Sequence, residues 1–223
     1  MLTRLKKGMK TERGITGLET AIILIAFVVV AAVFAYTALS AGLFSTQKSQ
    51  EAVYSGLKET RSTLELKGSV VAYKGDSNIS NSVGKVEFTV SNALQGEPID
   101  LTPPYELSSN SLVSSGLDHV VQIAYSDENV FVPDCAWTLS WVGDHTDDYL
   151  LEDNEKAVIT VWLHNYTSGA YAPSGESTTH FLGNNNWVDT YHTFTLEVKP
   201  PSGAVLTIER TTPGYLDTVM DLH

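Results

Sequence analysis

The segment Asp144-His145-Thr146-Asp147-Asp148, followed by Glu152, Asp153 and Glu155, sets several ligand-type oxygens close together. Asp144, Asp147 and Asp148 on one loop could hold calcium, a hard cation that is satisfied by carboxylate and carbonyl oxygens. The ordered spacing of an EF-hand loop is missing, and a solvated acidic hairpin explains the same residues. The six histidines, His119, His145, His164, His180, His192 and His223, are scattered, and no pair has the spacing of a zinc site. The single cysteine, Cys135, precedes Ala136 and Trp137 at the start of an apolar run, with no His or Lys adjacent. It reads as a small core residue, and no intrachain disulfide is possible. The sequence has no G-x-S-x-G elbow, no H-E-x-x-H and no phosphate-binding glycine loop. The expectation is a protein that is not an enzyme and carries no cofactor. Two N-glycosylation motifs complete the inventory, Asn78-Ile79-Ser80 and Asn165-Tyr166-Thr167. Both fall in expected turns, and chance alone yields about two such motifs at this content of Asn, Ser and Thr.

The element that organises the chain lies elsewhere. Thr20 to Phe44, TAIILIAFVVVAAVFAYTALSAGLF, is a run of 25 residues without a charge. It is long enough to cross a bilayer as a helix. Ahead of it, residues 1–14 carry Arg4, Lys6, Lys7, Lys10 and Arg13 against one acid, Glu12, and positive charge on that flank keeps the N-terminus in the cytoplasm. Three readings are open. The run could be a permanent anchor. It could be a secretory signal cut after Ala38-Leu39-Ser40, before Ala41, although its length exceeds the usual apolar region of such a signal. Or it could be retained after a cut on its cytoplasmic side.

The residues before the run bear on the third reading. Arg13-Gly14 is followed by Ile15-Thr16-Gly17-Leu18-Glu19, then by the apolar run. A basic segment ending in Gly, an acid five residues on and a helix-long apolar stretch resemble the class III signal of type IV pilin-like proteins. RGITGLETAIILIAFVVVAAVFAYTALSAGLFSTQ closely resembles the archaellins, the flagellins of archaea, and Leu206 to His223 resembles an archaellin terminus. The resemblance implies cleavage after Gly14 by a prepilin-peptidase-like enzyme, with Ile15 as the new N-terminus. It also implies a membrane-inserted precursor and polymerisation with identical or related subunits into a motor-driven swimming filament outside the cell. Many archaellins have Gly-Thr where this chain has Leu18-Glu19, and Glu19 is nearer the pilin pattern, so an adhesive pilus subunit is the alternative. Glu19 itself has two roles open to it. Thr16-x-x-Glu19 matches a helix capping box, and in an assembly Glu19 could pair with the Ile15 ammonium of a neighbouring subunit.

Residues 1–14 thus read as a leader, 15–62 as one helix of about 70 Å, 63–212 as an outer domain, and 213–223 as a tail, loose or docked on a neighbour. The first half of the helix is apolar all round, which requires lipid or other apolar helices about it. Ala31/Ala35, Ala38/Gly42 and Ala41/Ser45 are small pairs four apart, a spacing that lets helix backbones approach closely. From Leu64 the period falls to two: Leu64 to Tyr73 reads as a first strand, followed by Val86-Phe88-Val90, Val121-Ile123-Tyr125, Trp137-Leu139-Trp141, Ile159-Val161-Leu163, Phe194-Leu196-Val198 and Leu206-Ile208. Seven or eight short strands give an α+β chain, a long hydrophobic N-terminal helix followed by an antiparallel, immunoglobulin-like β-sandwich. Net charge is −12, and loss of a leader carrying five cations and one acid leaves −16. Nucleic acid is excluded as a partner. A single-pass anchored domain that binds sugar or calcium, and a secreted enzyme, are the readings from other classes.

Overall fold

The structure, a computed structural model, describes residues 12–61, 63–79, 81–93, 97–172, 180–183 and 186–222. The chain forms two compact units, divided between Tyr54 and Ser55. One helix, α1 (Glu12–Arg61), spans 50 residues. It begins three residues before the expected start and continues through Gly14 and Gly17. Glycine inside a helix costs roughly 1 kcal/mol against alanine, too little to break a helix with strong formers on both sides. Thr16 therefore lies inside α1 rather than at its cap, which corrects the capping-box reading for the uncut chain.

Among the described residues fifteen strands follow: β1 (Leu64–Lys74), β2 (Val83–Asn92), β3 (Ile99–Asp100), β4 (Tyr105–Ser108), β5 (Ser111–Ser114), β6 (Gln122–Ser126), β7 (Phe131–Val132), β8 (Ala136–Trp141), β9 (Leu150–Leu151), β10 (Ala157–Trp162), β11 (Asn165–Thr167), β12 (Ala170–Ala172), β13 (Thr193–Lys199), β14 (Leu206–Thr211) and β15 (Val219–Leu222). Two antiparallel sheets make the expected sandwich. One has the order β15-β1-β2-β10-β8, the other β14-β13-β6-β7, and the remaining six strands form two-stranded pieces. The period-two runs supply the inner faces. Val86, Phe88 and Val90 on β2, Ile159 and Val161 on β10, and Trp137 on β8 meet Ile123 and Tyr125 on β6 and Phe194, Leu196 and Val198 on β13 in one core. Alternate residues point to opposite faces of a strand, so the hydrophobic pattern fixes the register: Ile159 pairs Phe88 and Leu139, and Leu196 pairs Tyr125 and Ile208.

Two departures from the expected pattern have local causes. On β1, Lys67 pairs Thr89 but Val71 pairs Glu87, a bulge that spends two extra residues. Gly68 sits in it at φ +82°, a conformation glycine adopts without strain. At the other end, residues 213–222 of the expected tail are not separate from the sandwich. After Pro213-Gly214 the chain returns as β15 and pairs antiparallel with β1, Met220 opposite Ala72 and Leu222 opposite Val70. Met220 and Leu222 are buried while Val219 and Asp221 are exposed. That half-buried alternation makes the terminus an edge strand of the sandwich.

A smaller apolar cluster of Ile79, Leu112, Ala136, Trp162 and Tyr171 packs with Tyr105, Tyr166, Phe181 and Trp187. Gly84 is packed tightly against it, since an added Cβ would overlap the Tyr171 ring. Gly84→Ala is accordingly expected to cost about 1–3 kcal/mol by overpacking, read as a lowered midpoint in denaturant with an unchanged slope.

Candidate functional site

The site is the helix. Every large apolar side chain from Leu18 to Phe44 is at least 53% exposed, and Gly17–Lys58 is long and apolar enough to cross a membrane. A soluble domain rarely leaves so large an apolar surface uncovered unless it is an interaction surface. Four hydroxyl groups on the helix turn back onto its backbone. The Thr20, Thr37 and Thr46 hydroxyls donate to the carbonyls of Gly17, Phe34 and Gly42 at 3.0, 2.9 and 2.9 Å, and Ser49 Oγ donates to Ser45 O at 2.9 Å. These hydroxyls carry their own acceptors into an apolar environment, where an unpaired one would be costly. Beyond Thr46 the surface becomes mixed, with Lys48 and Glu51 paired at 2.6 Å and both exposed.

Gly14 and Ile15 fall on α1 within its first turn, and Glu19 is exposed one turn further along. The sequence placed the three near one another, and the helix backbone does so too. Covering the apolar run amounts to tens of kcal/mol by area, before ordering costs.

The sandwich carries the other candidates, and most are committed to the fold. In the acidic loop, Glu155 is buried, and its two oxygens accept the backbone N–H of Thr146 and of Glu152, each at 2.9 Å. Asp148 Oδ1 accepts from the Thr146 hydroxyl and from Leu150 N, both at 3.0 Å, and His145 stacks on Trp141 at 5.5 Å. Asp144 and Asp147 are exposed. Among the described residues no three His, Cys, Asp or Glu side chains converge as a metal site. Asn78 Nδ2 donates to Tyr171 O at 2.9 Å, while the neighbouring Asp76 Oδ2 accepts from Tyr171 N at 2.7 Å. Ser80 of that motif lies outside the described residues. Asn165, on β11, is half-buried.

Four groups in the sandwich have unusual surroundings, and of these the sequence did not single out Asp127 and Tyr125. Asp127 Oδ1 accepts from Asn129 N and Val130 N, both at 2.7 Å, and Oδ2 accepts from the Tyr125 hydroxyl at 2.7 Å and lies 3.0 Å from His192 Nε2. Burial pushes the Asp127 carboxyl up, but these four bonds together hold it below the usual carboxylate value. Burial also drives the Tyr125 hydroxyl upward, with its bond to Asp127 adding to the shift. His164 is 1% exposed and its pKa is pushed down to about 4 by burial. Its Nε2 lies 3.4 Å from Ser82 Oγ, and its Nδ1 has no partner. Cys135 is buried, and desolvation with the nearby Asp134 raises its thiol pKa far out of the reactive range.

The family model for archaeal-type flagellin matches residues 14–210. The chain belongs to the archaeal-type flagellin family. Three of the curated flagellins align with this chain almost end to end. Probable flagellin 1 of Archaeoglobus fulgidus is 38% identical over 219 residues, covering 96% of this chain and 97% of that protein. Probable flagellin 1 of Aeropyrum pernix is 34% identical, covering 94% and 97%. Among solved structures, the subunit of the archaeal flagellum of Methanospirillum hungatei strain JF1 superposes with a TM-score of 0.57 at 27% identity, covering 92% of this chain and 98% of that one. The flagellin resemblance read from Arg13 to Gln50 thus extends over the sandwich as well.

Proposed function

We propose that this flagellin is made as a membrane-inserted precursor and cut between Gly14 and Ile15 by a prepilin-peptidase-like enzyme. It then polymerises through α1 into an archaeal flagellar filament used for swimming. The observation that carries this is the uncharged, exposed apolar run on a chain of this family, with Arg13-Gly14-Ile15 just ahead of it. Leaving lipid exposes that run, and other copies of the same helix are the surface that covers it again. The freed Ile15 ammonium pairs with Glu19 of an adjacent subunit, which offsets the cost of carrying a carboxylate into an apolar seam. The sandwich, with a net negative surface, stands outside and keeps densely packed subunits soluble.

The test is mass spectrometry of protein sheared from the cell surface. A mature N-terminus at Ile15 is expected. A start at Ala41, or an intact Met1 found only in membranes, would sink the proposal, because no filament core would remain. Loss of swimming in a strain lacking the chain is expected, whereas loss of attachment with swimming intact would favour an adhesive pilus. The same spectra read the two sequons. Asn165, whose side chain makes no hydrogen bond among the described residues, is the better acceptor. Asn78, held by Tyr171, is expected to be the less occupied of the two.

A further inference from the structure

From Gly17 to Phe44 the only side chains that are not apolar belong to Glu19, Thr20, Tyr36, Thr37 and Ser40. The two threonines satisfy themselves on their own helix, as described above. Tyr36 cannot, because its rigid ring holds the hydroxyl beyond reach of the backbone. Tyr36 is 73% exposed, and neither its hydroxyl nor that of Ser40 makes a hydrogen bond to another described residue. The two lie four apart, on one face of α1. Tyr36 stands about 24 Å along the helix from Thr20, deep within the run that assembly covers.

We propose that the Tyr36 hydroxyl is a register contact between copies of this chain. It hydrogen-bonds a polar group on the helix of an adjacent subunit, and Ser40, one turn further on, belongs to the same polar notch. The inference rests on the filament reading above. Packing among Ala, Val, Ile and Leu is non-directional and tolerates axial sliding. One polar pair that is satisfied at only one stagger excludes the others, as a buried polar residue does in a coiled coil. A hydroxyl left unpaired in the seam would instead oppose assembly at every stagger.

Tyr36→Phe separates the two cases by the sign of its effect, since it keeps the ring and removes only the oxygen. The full chain carrying Y36F is expressed in a motile archaeal host, and sheared filaments are heated while released subunits are quantified. With the contact present, Y36F filaments dissociate at lower temperature and release about fivefold more subunit, the loss of one ordinary hydrogen bond. S40A is expected to shift dissociation in the same direction. A complete failure of Y36F to assemble, with processed subunit at the wild-type level, is the extreme of the same result. Y36F filaments as stable as wild type, or more stable, would overturn the inference, because phenylalanine is easier to bury than an unpaired tyrosine. So would a reduced supply of processed subunit with unchanged dissociation, which would place the hydroxyl at the membrane surface. If the unaltered chain forms no filaments, the assembly reading fails first and takes this contact with it.

Discussion

Val30→Asp abolishes filament assembly while leaving the sandwich folded. Val30 lies near the middle of the uncharged run, and its side chain is uncovered in the single chain. Insertion into lipid tolerates the change. A carboxylate at the centre of a membrane helix costs about 2.5–3.5 kcal/mol on insertion scales, against an otherwise continuous apolar stretch. The packed seam does not tolerate it. There the carboxylate is surrounded by the same apolar face on neighbouring copies, with no cation along the run to pair with it, and it repeats once per subunit. Removing an unpaired charge from water costs several kcal/mol, and the helical repeat multiplies that cost along the polymer. Electron microscopy of the sheared fraction is expected to show no filaments for V30D and normal ones for V30A. Tryptophan fluorescence reports on the sandwich independently, because all four tryptophans lie at or beyond Trp137. Normal filaments from V30D would mean that α1 is not the polymer core.

The helix was legible because composition alone decides it: 25 uncharged residues admit few environments. The large strands were legible for a related reason. Val86-Phe88-Val90 and Phe194-Leu196-Val198 are buried on alternate positions, and burial sets the period. What the sequence hid is long-range or polar. Val219-Met220-Asp221-Leu222 is four residues long and acquires meaning only by pairing with β1, some 150 positions earlier. Residues 213–223 read as a tail, whereas the chain turns after Pro213-Gly214 into a last strand. The acidic loop advertised ligand oxygens, but Glu155 and Asp148 are spent on backbone N–H groups that the turn brings to them. Asp127 is hidden in the same way, since nothing in Ser126-Asp127-Glu128 announces that Tyr125 and His192 will converge on it. The expected cleavage motif is the reverse case. Arg13-Gly14-Ile15 is conspicuous as a motif, yet the uncut helix runs straight through it.

Acid weakens the sandwich through His164, and replacing that residue removes the pH dependence it causes. The ring sits in the fold with Ser82 on one side and Trp187 at 5.7 Å, and desolvation holds its pKa near 4 against an ordinary 6.5. The folded state therefore keeps His164 neutral where the unfolded chain protonates it. Above pH 6.5 neither state binds the proton, and the residue contributes no slope. Between pH 6.5 and 4 the unfolded chain takes up the proton and the folded chain does not, so stability falls as pH falls. The displacement corresponds to about 3 kcal/mol over that window, a large share of a domain's usual 5–15 kcal/mol. Below pH 4 the slope from this residue vanishes, and the depressed carboxyl of Asp127 continues the loss as it becomes protonated. His164→Leu eliminates the titration and also the unpartnered Nδ1, so its stability at pH 7 is expected to stay within about 1 kcal/mol of the wild type. Denaturant unfolding of the detergent-solubilised chain, followed by tryptophan fluorescence at pH 7, 5.5 and 4, makes the comparison. The two proteins should diverge steadily below pH 6.5, with H164L the more stable at pH 4. Parallel curves would mean that the imidazole reaches water in the folded state and titrates at its ordinary value.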